Sequence, residues 1–195
     1  MDTHLQDFLK ELYREGREFD AAQPDRLERR RNLEPDSAAL LAVLVRAVRP
    51  QRLLELGTSN GYSTIWLADA ALAVRSEFTS VEVDPGRLKQ ARANLRAVGL
   101  VQTVTLVADD AANVLRDSER GHGGMIFLDA ERPAYTSYWP DLVRTLEVGG
   151  LLVVDNVISH AQEVAEFREL ISADERVTEA LSPTGAGLLL VVKRD

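Results

Sequence analysis

Acidic side chains recur in this chain where short apolar runs give way to turns: Glu55, Glu82 with Asp84, Asp109-Asp110, Asp129, and Asp155-Asn156. Any one of them is an ordinary cap or turn residue. Gathered on one rim, they become a set of hard oxygen donors able to hold a cation or to accept hydrogen bonds from hydroxyls. Asp129, Asp155 and Asn156 follow two consecutive apolar runs, and three such donors suit Mg²⁺ or a similar ion with open coordination positions. Glu55 sits inside Leu53-Leu54-Glu55-Leu56 and needs a compensating partner there; a bound ammonium or sulfonium would serve. Glu82, 20 to 25 residues past the glycine turn that follows Glu55, stands where an acid can take ribose hydroxyls.

That turn, Gly57-Thr58-Ser59-Asn60-Gly61, has a G-x-x-x-G spacing. It lacks the G-x-G-x-x-G of a dinucleotide site and the Lys-Ser/Thr of a phosphate loop. Its glycines let backbone approach a ligand, ahead of a helix start that favours negative groups. The chain has no cysteine, so any metal must be held by oxygen or imidazole. No G-x-S-x-G is present, which leaves acyl transfer without support. His160 reads as a helix-start residue before it reads as a base, and Trp139 as packing, whereas Tyr135 or Tyr138 can wall an aromatic ligand.

These residues need a scaffold that brings strand ends together. Apolar runs at 53–56, 78–83, 104–107, 125–128 and 151–154 read as strands. Helical segments follow them at 63–72, 85–98, 111–115, 133–146 and 161–171. The near-continuous apolar strands imply an α/β fold whose parallel sheet is buried on both faces. Strands at 177–181 and 188–192 have no helix between them, so one of them runs antiparallel. Ligands of such sheets sit beyond the carboxyl ends of the strands.

At 195 residues, 45% of them hydrophobic and 28% charged, the chain is expected to be one globular domain. Residues 1–31 form its N-terminal helical extension and residues 32–195 its core. Leu5, Phe8, Leu9, Leu12 and Tyr13 lie at helical spacing, a stripe open to packing on the domain, a homodimer contact or a cover over a pocket. The net charge of −8 argues against broad nucleic-acid binding, and Arg29-Arg30-Arg31 reads as a solvated helix end among acids. A charged N-terminus and the lack of a spanning apolar run lead to the expectation of a cytoplasmic protein without signal peptide or membrane segment.

The segments 54–63, 80–85, 127–135 and 149–157 resemble, in order, the divalent-metal-dependent O-methyltransferases that use S-adenosylmethionine, the catechol and caffeoyl-coenzyme A group with its small bacterial relatives. The resemblance runs from about Asn32 to the C-terminus, and the Asp129 with Asp155-Asn156 pairing is its most specific element. It implies a Rossmann-like class I methyltransferase fold with a seven-stranded, mostly parallel sheet and an antiparallel C-terminal strand. It implies that Glu55 and Gly57 line the methionine end of S-adenosylmethionine, that Ser63 holds its carboxylate, and that the backbone of Leu33 meets its amino group. Glu82 would hold the ribose, and Asp110 and Ala111 would lie along the adenine. Asp129, Asp155 and Asn156 would hold Mg²⁺, Mn²⁺ or Ca²⁺, with Asp129 also facing the cofactor amine.

Two departures alter what the resemblance implies. The lysine that the family carries three residues after the strand-end aspartate is Arg132, which is always charged and cannot take a proton. Arg132 is then either a stabiliser of an acceptor oxyanion or a partner in a surface ion pair with Glu131 or another acid. The glutamate that the catechol enzyme places near its C-terminus has no match in Ser182-Pro183-Thr184-Gly185. The expected activity is methyl transfer to a hydroxyl of a small, aromatic acceptor with vicinal oxygens. The alternatives are transfer to a hydroxyuridine of tRNA, an adenosylmethionine-binding protein with impaired catalysis, and, weakest, a nicotinamide oxidoreductase.

Overall fold

The computed structural model describes residues 1–25 and 28–194. In chain order its elements are α1 (Thr3–Ala22), α2 (Pro35–Val48), β1 (Arg52–Leu56), α3 (Tyr62–Val74), β2 (Glu77–Glu82), α4 (Pro85–Ala97), β3 (Val104–Ala108) and α5 (Ala111–Asp117). Then follow β4 (Gly123–Leu128), a 3₁₀ turn (Arg132–Ala134), α6 (Tyr135–Thr145), β5 (Leu146–Val154), α7 (Ala165–Ser172), β6 (Val177–Ser182) and β7 (Leu188–Lys193). The strands make one seven-stranded sheet in the order β3-β2-β1-β4-β5-β7-β6. Strand β7 runs antiparallel to both β5 and β6, and the other pairings are parallel. The expected α/β architecture with an antiparallel C-terminal strand is what forms.

The order reverses between β1 and β4, where the chain leaves one half of the sheet to build the other. Crossover helices shield both faces. Leu5, Leu9 and Leu12 of α1 share one core cluster with Leu41 of α2, Ile65 of α3 and Phe127 of β4. Leu142 of α6, Phe167 of α7 and Ile126 of β4 belong to the other. The central β4 is buried throughout, because alternate side chains feed opposite clusters. Burying a leucine of this kind is worth roughly 1.5–3 kcal/mol, so α1 is bound to the domain by its stripe. Among the described residues no helix is long and apolar enough to cross a membrane.

Several boundaries differ from the sequence reading. The helix expected at 133–146 begins as the 3₁₀ turn and tolerates Pro140 inside α6. Leu146 already opens β5, so Gly149-Gly150 lie within a strand instead of closing a helix. The helix expected from Ala161 starts at Ala165. Upstream of it the N–H groups of Val157, Ile158 and Ser159 donate to the carbonyls of Gly187 and Ala186, and the chain then runs through turns in which the Glu163 and Val164 N–H groups both donate to the His160 carbonyl.

Candidate active site

Gly57 is the hinge of the site. With φ of +110° it takes a backbone form that L side chains rarely adopt, and a Cβ placed on it would lie 2.1 Å from the Asp129 carbonyl oxygen. Only glycine lets the end of β1 touch the end of β4 so closely. Beside this contact opens a cavity of about 850 Å³ at the carboxyl ends of the strands. Leu33, Gly57, Ser63, Glu82, Asp110, Ala111, Asp129, Arg132, Asp155 and Asn156 all line it. Its size suits a cofactor with a small acceptor.

Glu55 alone of the expected set is absent from that wall. It is wholly buried behind Ser63, and Ser63 Oγ donates to its Oε1 at 2.6 Å. Thr64 and Ser80 hydroxyls donate to Oε2, each at 2.6 Å. Three hydroxyls thus supply the polar company that the sequence reading assigned to a cation. Burial nevertheless dominates and pushes the Glu55 carboxyl up to about 7, against the opposing pull of those hydroxyls.

Glu82 behaves as a preset acceptor. Its Oε2 takes the Ser59 N–H at 2.7 Å and its Oε1 the Asp84 N–H at 2.9 Å. Each oxygen keeps a lone pair for a ligand hydroxyl. Asp110 caps α5 through the Ala112 N–H at 2.7 Å, which places Ala111 on the cavity wall.

Asp129 and Asp155 project from the ends of neighbouring strands. Burial, then the Asp129 charge, pushes the Asp155 carboxyl up to about 8; burial lifts Asp129 to about 6, while Arg31 and Asn156 draw it down. The Asn156 amide, on a residue at φ +65°, donates to Asp155 Oδ2 at 2.7 Å and to Asp129 Oδ1 at 3.3 Å. Asp155 Oδ1 is buried without a hydrogen-bond partner. Among the described residues no three His, Cys, Asp or Glu side chains cluster as a metal site, so an ion here must count Asn156. Two crowded carboxylates, an orphaned oxygen and an amide oxygen fit a hard divalent cation, which would relieve both the repulsion and the missing partner.

Arg132 is neither on the surface nor paired with Glu131. It is 4% exposed, its Nε donates to Glu163 Oε2 at 2.8 Å, and its Nη2 is buried without a partner. Glu131 is instead held by Arg31 Nη2 at 2.5 Å. Tyr138 lines the cavity, whereas Tyr135 is buried against Phe167 and Trp139 packs on the same ring. His160 also reaches the wall, with Nδ1 2.8 Å from Ser159 Oγ.

The arginine triplet departs from its reading as a solvated helix end, for Arg29, Arg30 and Arg31 wall the cavity. Asp20 accepts the N–H groups of Arg30 and Arg31 at 2.6 and 2.9 Å, and Ser59 Oγ donates to the Arg30 carbonyl at 3.0 Å. Arg31 and Glu34, which also lines the wall, carry no spacing signal in the sequence, since their roles arise from contacts distant along the chain.

Comparison with known proteins follows the same lines. A family model described as O-methyltransferase matches residues 3–194. The chain is similar to a catechol O-methyltransferase of Niastella koreensis, 35% identical over 138 residues that span 69% of this chain and 62% of that protein. The match thus spans less than two thirds of the relative's length. A catechol O-methyltransferase of Mycobacterium tuberculosis is 31% identical over 148 residues, 76% of this chain and 67% of its own. Among solved structures, the O-methyltransferase TomG from Streptomyces achromogenes in complex with SAM superposes with a TM-score of 0.78 at 25% identity, covering 100% of this chain and 91% of TomG.

Proposed function

The chain belongs to the O-methyltransferase family, and on that premise we propose that it methylates a hydroxyl of a small aromatic acceptor with vicinal oxygens. The donor is S-adenosylmethionine, assisted by a divalent ion such as Mg²⁺. The observation that carries this reading is the Asp155 Oδ1 left without a partner beside Asp129 and Asn156, next to the Gly57 contact.

Bound donor supplies an electrophilic methyl on a sulfonium, and a bound divalent ion supplies the charge that favours an acceptor oxyanion. The chain's own residues do the positioning. Glu82 takes the ribose hydroxyls, already aligned by the Ser59 and Asp84 amides. Asp110 and Ala111 border the adenine, the Leu33 backbone meets the amino group, and Asp129 faces it. Gly57 and Ser63 stand at the methionine end, with Glu55 behind fixing the Ser63 hydroxyl. Asp129, Asp155 and Asn156 would hold the ion. Arg132 cannot act as a base, and its charge favours the oxyanion from a site screened from water. Holding donor and acceptor in line supplies much of the rate.

Asp155→Ala and, separately, EDTA should each abolish methylation of catechol; full activity in either case removes the metal-assisted mechanism. A second reading, transfer to a hydroxylated tRNA base, draws on Arg17, Arg29 and Arg87 at the cavity wall. Comparing tRNA with small phenols as acceptors separates the two.

A further inference from the structure

A second cavity, of about 440 Å³, opens at the opposite end of the sheet, where the parallel strands begin. Its wall draws on Arg120 ahead of β4, Val143 and Arg144 of α6, Glu147 at the start of β5, Arg176 ahead of β6, and Lys193 at the end of the antiparallel β7. Four of these are cations, in a chain whose net charge is −8.

Two of the cations have carboxylate partners. Arg144 gives Nε to Asp141 and its Nη groups to the carbonyls of Ser118 and Leu115. Arg176 gives Nε and Nη2 to Asp174, which keeps Nη1 uncommitted. The other two have none. Lys193 is 7% exposed and spends two N–H groups on the carbonyls of Val143 and Leu146, at 2.8 and 2.7 Å. Those bonds close the end of α6 and account for a lysine at that position. They leave its third N–H over, and they do not account for the arginines gathered around it. Arg120 makes no hydrogen bond or ion pair with any described residue. Burial, then the charges of Arg120 and Arg176, hold the Lys193 ammonium below its ordinary pKa, so like charges oppose one another across the cavity.

The acid on the wall does not relieve them. A Cβ built on Gly124 would lie 3.0 Å from Glu147 Oε1 and 3.0 Å from Pro50 Cβ, so the Glu147 carboxylate turns toward that strand start. Beside the cations the wall is apolar, with Pro140 and Val148, the latter 64% exposed. Crowded cations without a counter-ion, next to bare apolar surface in a cavity of ligand size, fit an anion that carries an apolar body.

We propose that this cavity binds a small organic phosphate, its phosphoryl group between Arg120, Arg176 and Lys193 and its apolar body on Pro140 and Val148. Donors arriving from three segments of chain suit a tetrahedral head with three terminal oxygens, whereas a carboxylate offers two. A phosphomonoester near neutral pH carries up to two negative charges, which matches the two cations that lack a carboxylate. The ligand is neither methyl donor nor acceptor, because the site stands at the amino ends of the strands whose carboxyl ends line the larger cavity. The proposal is therefore independent of the methyl-transfer reading.

The test is calorimetry at low salt with phenyl phosphate, inorganic phosphate and benzoate as probes. It uses the wild type, Arg120→Ala, Arg120→Glu and, as a control of equal charge change in the larger cavity, Arg29→Ala. Phenyl phosphate should bind the wild type more tightly than either other probe. Arg120→Ala should weaken it about tenfold, the scale of one hydrogen bond between charged groups, and Arg120→Glu should weaken it further. Arg29→Ala should leave it within about twofold, and unliganded melting temperatures should show all variants folded, since the Arg120 side chain is exposed. No binding by the wild type, or binding that Arg120→Ala and Arg120→Glu leave unchanged, overturns the site. An equal loss in Arg120→Ala and Arg29→Ala overturns it too, as a general effect of charge. Benzoate binding as tightly as phenyl phosphate overturns the phosphoryl assignment, and inorganic phosphate doing so overturns the apolar body.

Discussion

Arg31 Nη2 lies 2.5 Å from Glu131 Oε1, a contact that joins the segment after α1 to the loop after β4 at a separation of 100 residues. Both residues line the cavity, so their ion pair ties its two walls together. The side chains are 28% and 52% exposed, which screens the pair and keeps its worth modest. Glu131→Gln should weaken S-adenosylhomocysteine binding about threefold to tenfold, mostly through faster dissociation. Stopped-flow measurement at low and high salt checks this; an unchanged dissociation rate at low salt counts against it.

The acid pair predicts an unusual response to mutation. Asp155→Asn replaces a buried acid whose ionisation burial and the Asp129 charge already oppose, so the metal-free variant should melt at a temperature equal to or above that of the wild type. Millimolar Mg²⁺ should raise the melting temperature of the wild type, by about 2.7 kcal/mol of stabilisation at a hundredfold excess over its Kd, and leave the variant unmoved. Differential scanning fluorimetry reads both.

Glu55 makes stability depend on pH. Its folded carboxyl titrates near 7, against an ordinary value of 4.5, because burial outweighs its hydroxyl donors. The folded chain therefore keeps this proton to higher pH than the unfolded chain. Its contribution to stability is complete below pH 4.5 and is lost as the pH rises to about 7. At about 1.4 kcal/mol per unit the loss is about 3 kcal/mol. Urea unfolding between pH 4.5 and 8 should show a flatter profile for Glu55→Gln than for the wild type; parallel profiles would refute this account.

Gly57→Ala should cost both strain and a backbone collision, since φ is +110° and the new Cβ meets the Asp129 carbonyl. A loss of at least about 2 kcal/mol is expected, about 5 °C or more in Tm. Gly99→Ala is the control. It has φ of +72° but nothing within 4 Å, so it should cost only about 1 kcal/mol.

The sheet was readable from the chain because its strands are continuous apolar runs and its turns are marked by glycine and proline. The acids at the strand ends were readable too, since a parallel sheet brings those ends to one edge whatever the loops do. Glu55 was visible as an anomaly, but not its remedy. Ser63 and Thr64 lie eight and nine residues on, and only the turn through Gly57 and Gly61 folds their hydroxyls back onto it. Arg132 was visible as a departure, yet its partner Glu163 lies 31 residues further, in turns that the sequence assigned partly to a helix. Arg31 and Glu34 stayed hidden because charged residues near a helix end look the same whether they face water or a ligand.

Helix α1 contributes leucines to the interior and, just past its midpoint, Tyr13; its last turn carries Asp20, the clamp on Arg30 and Arg31. One piece of chain is therefore at once ballast and shutter. Deleting it should not yield a smaller working enzyme, because the same cut that bares the hydrophobic interior also unfastens the wall that the ligands lean on.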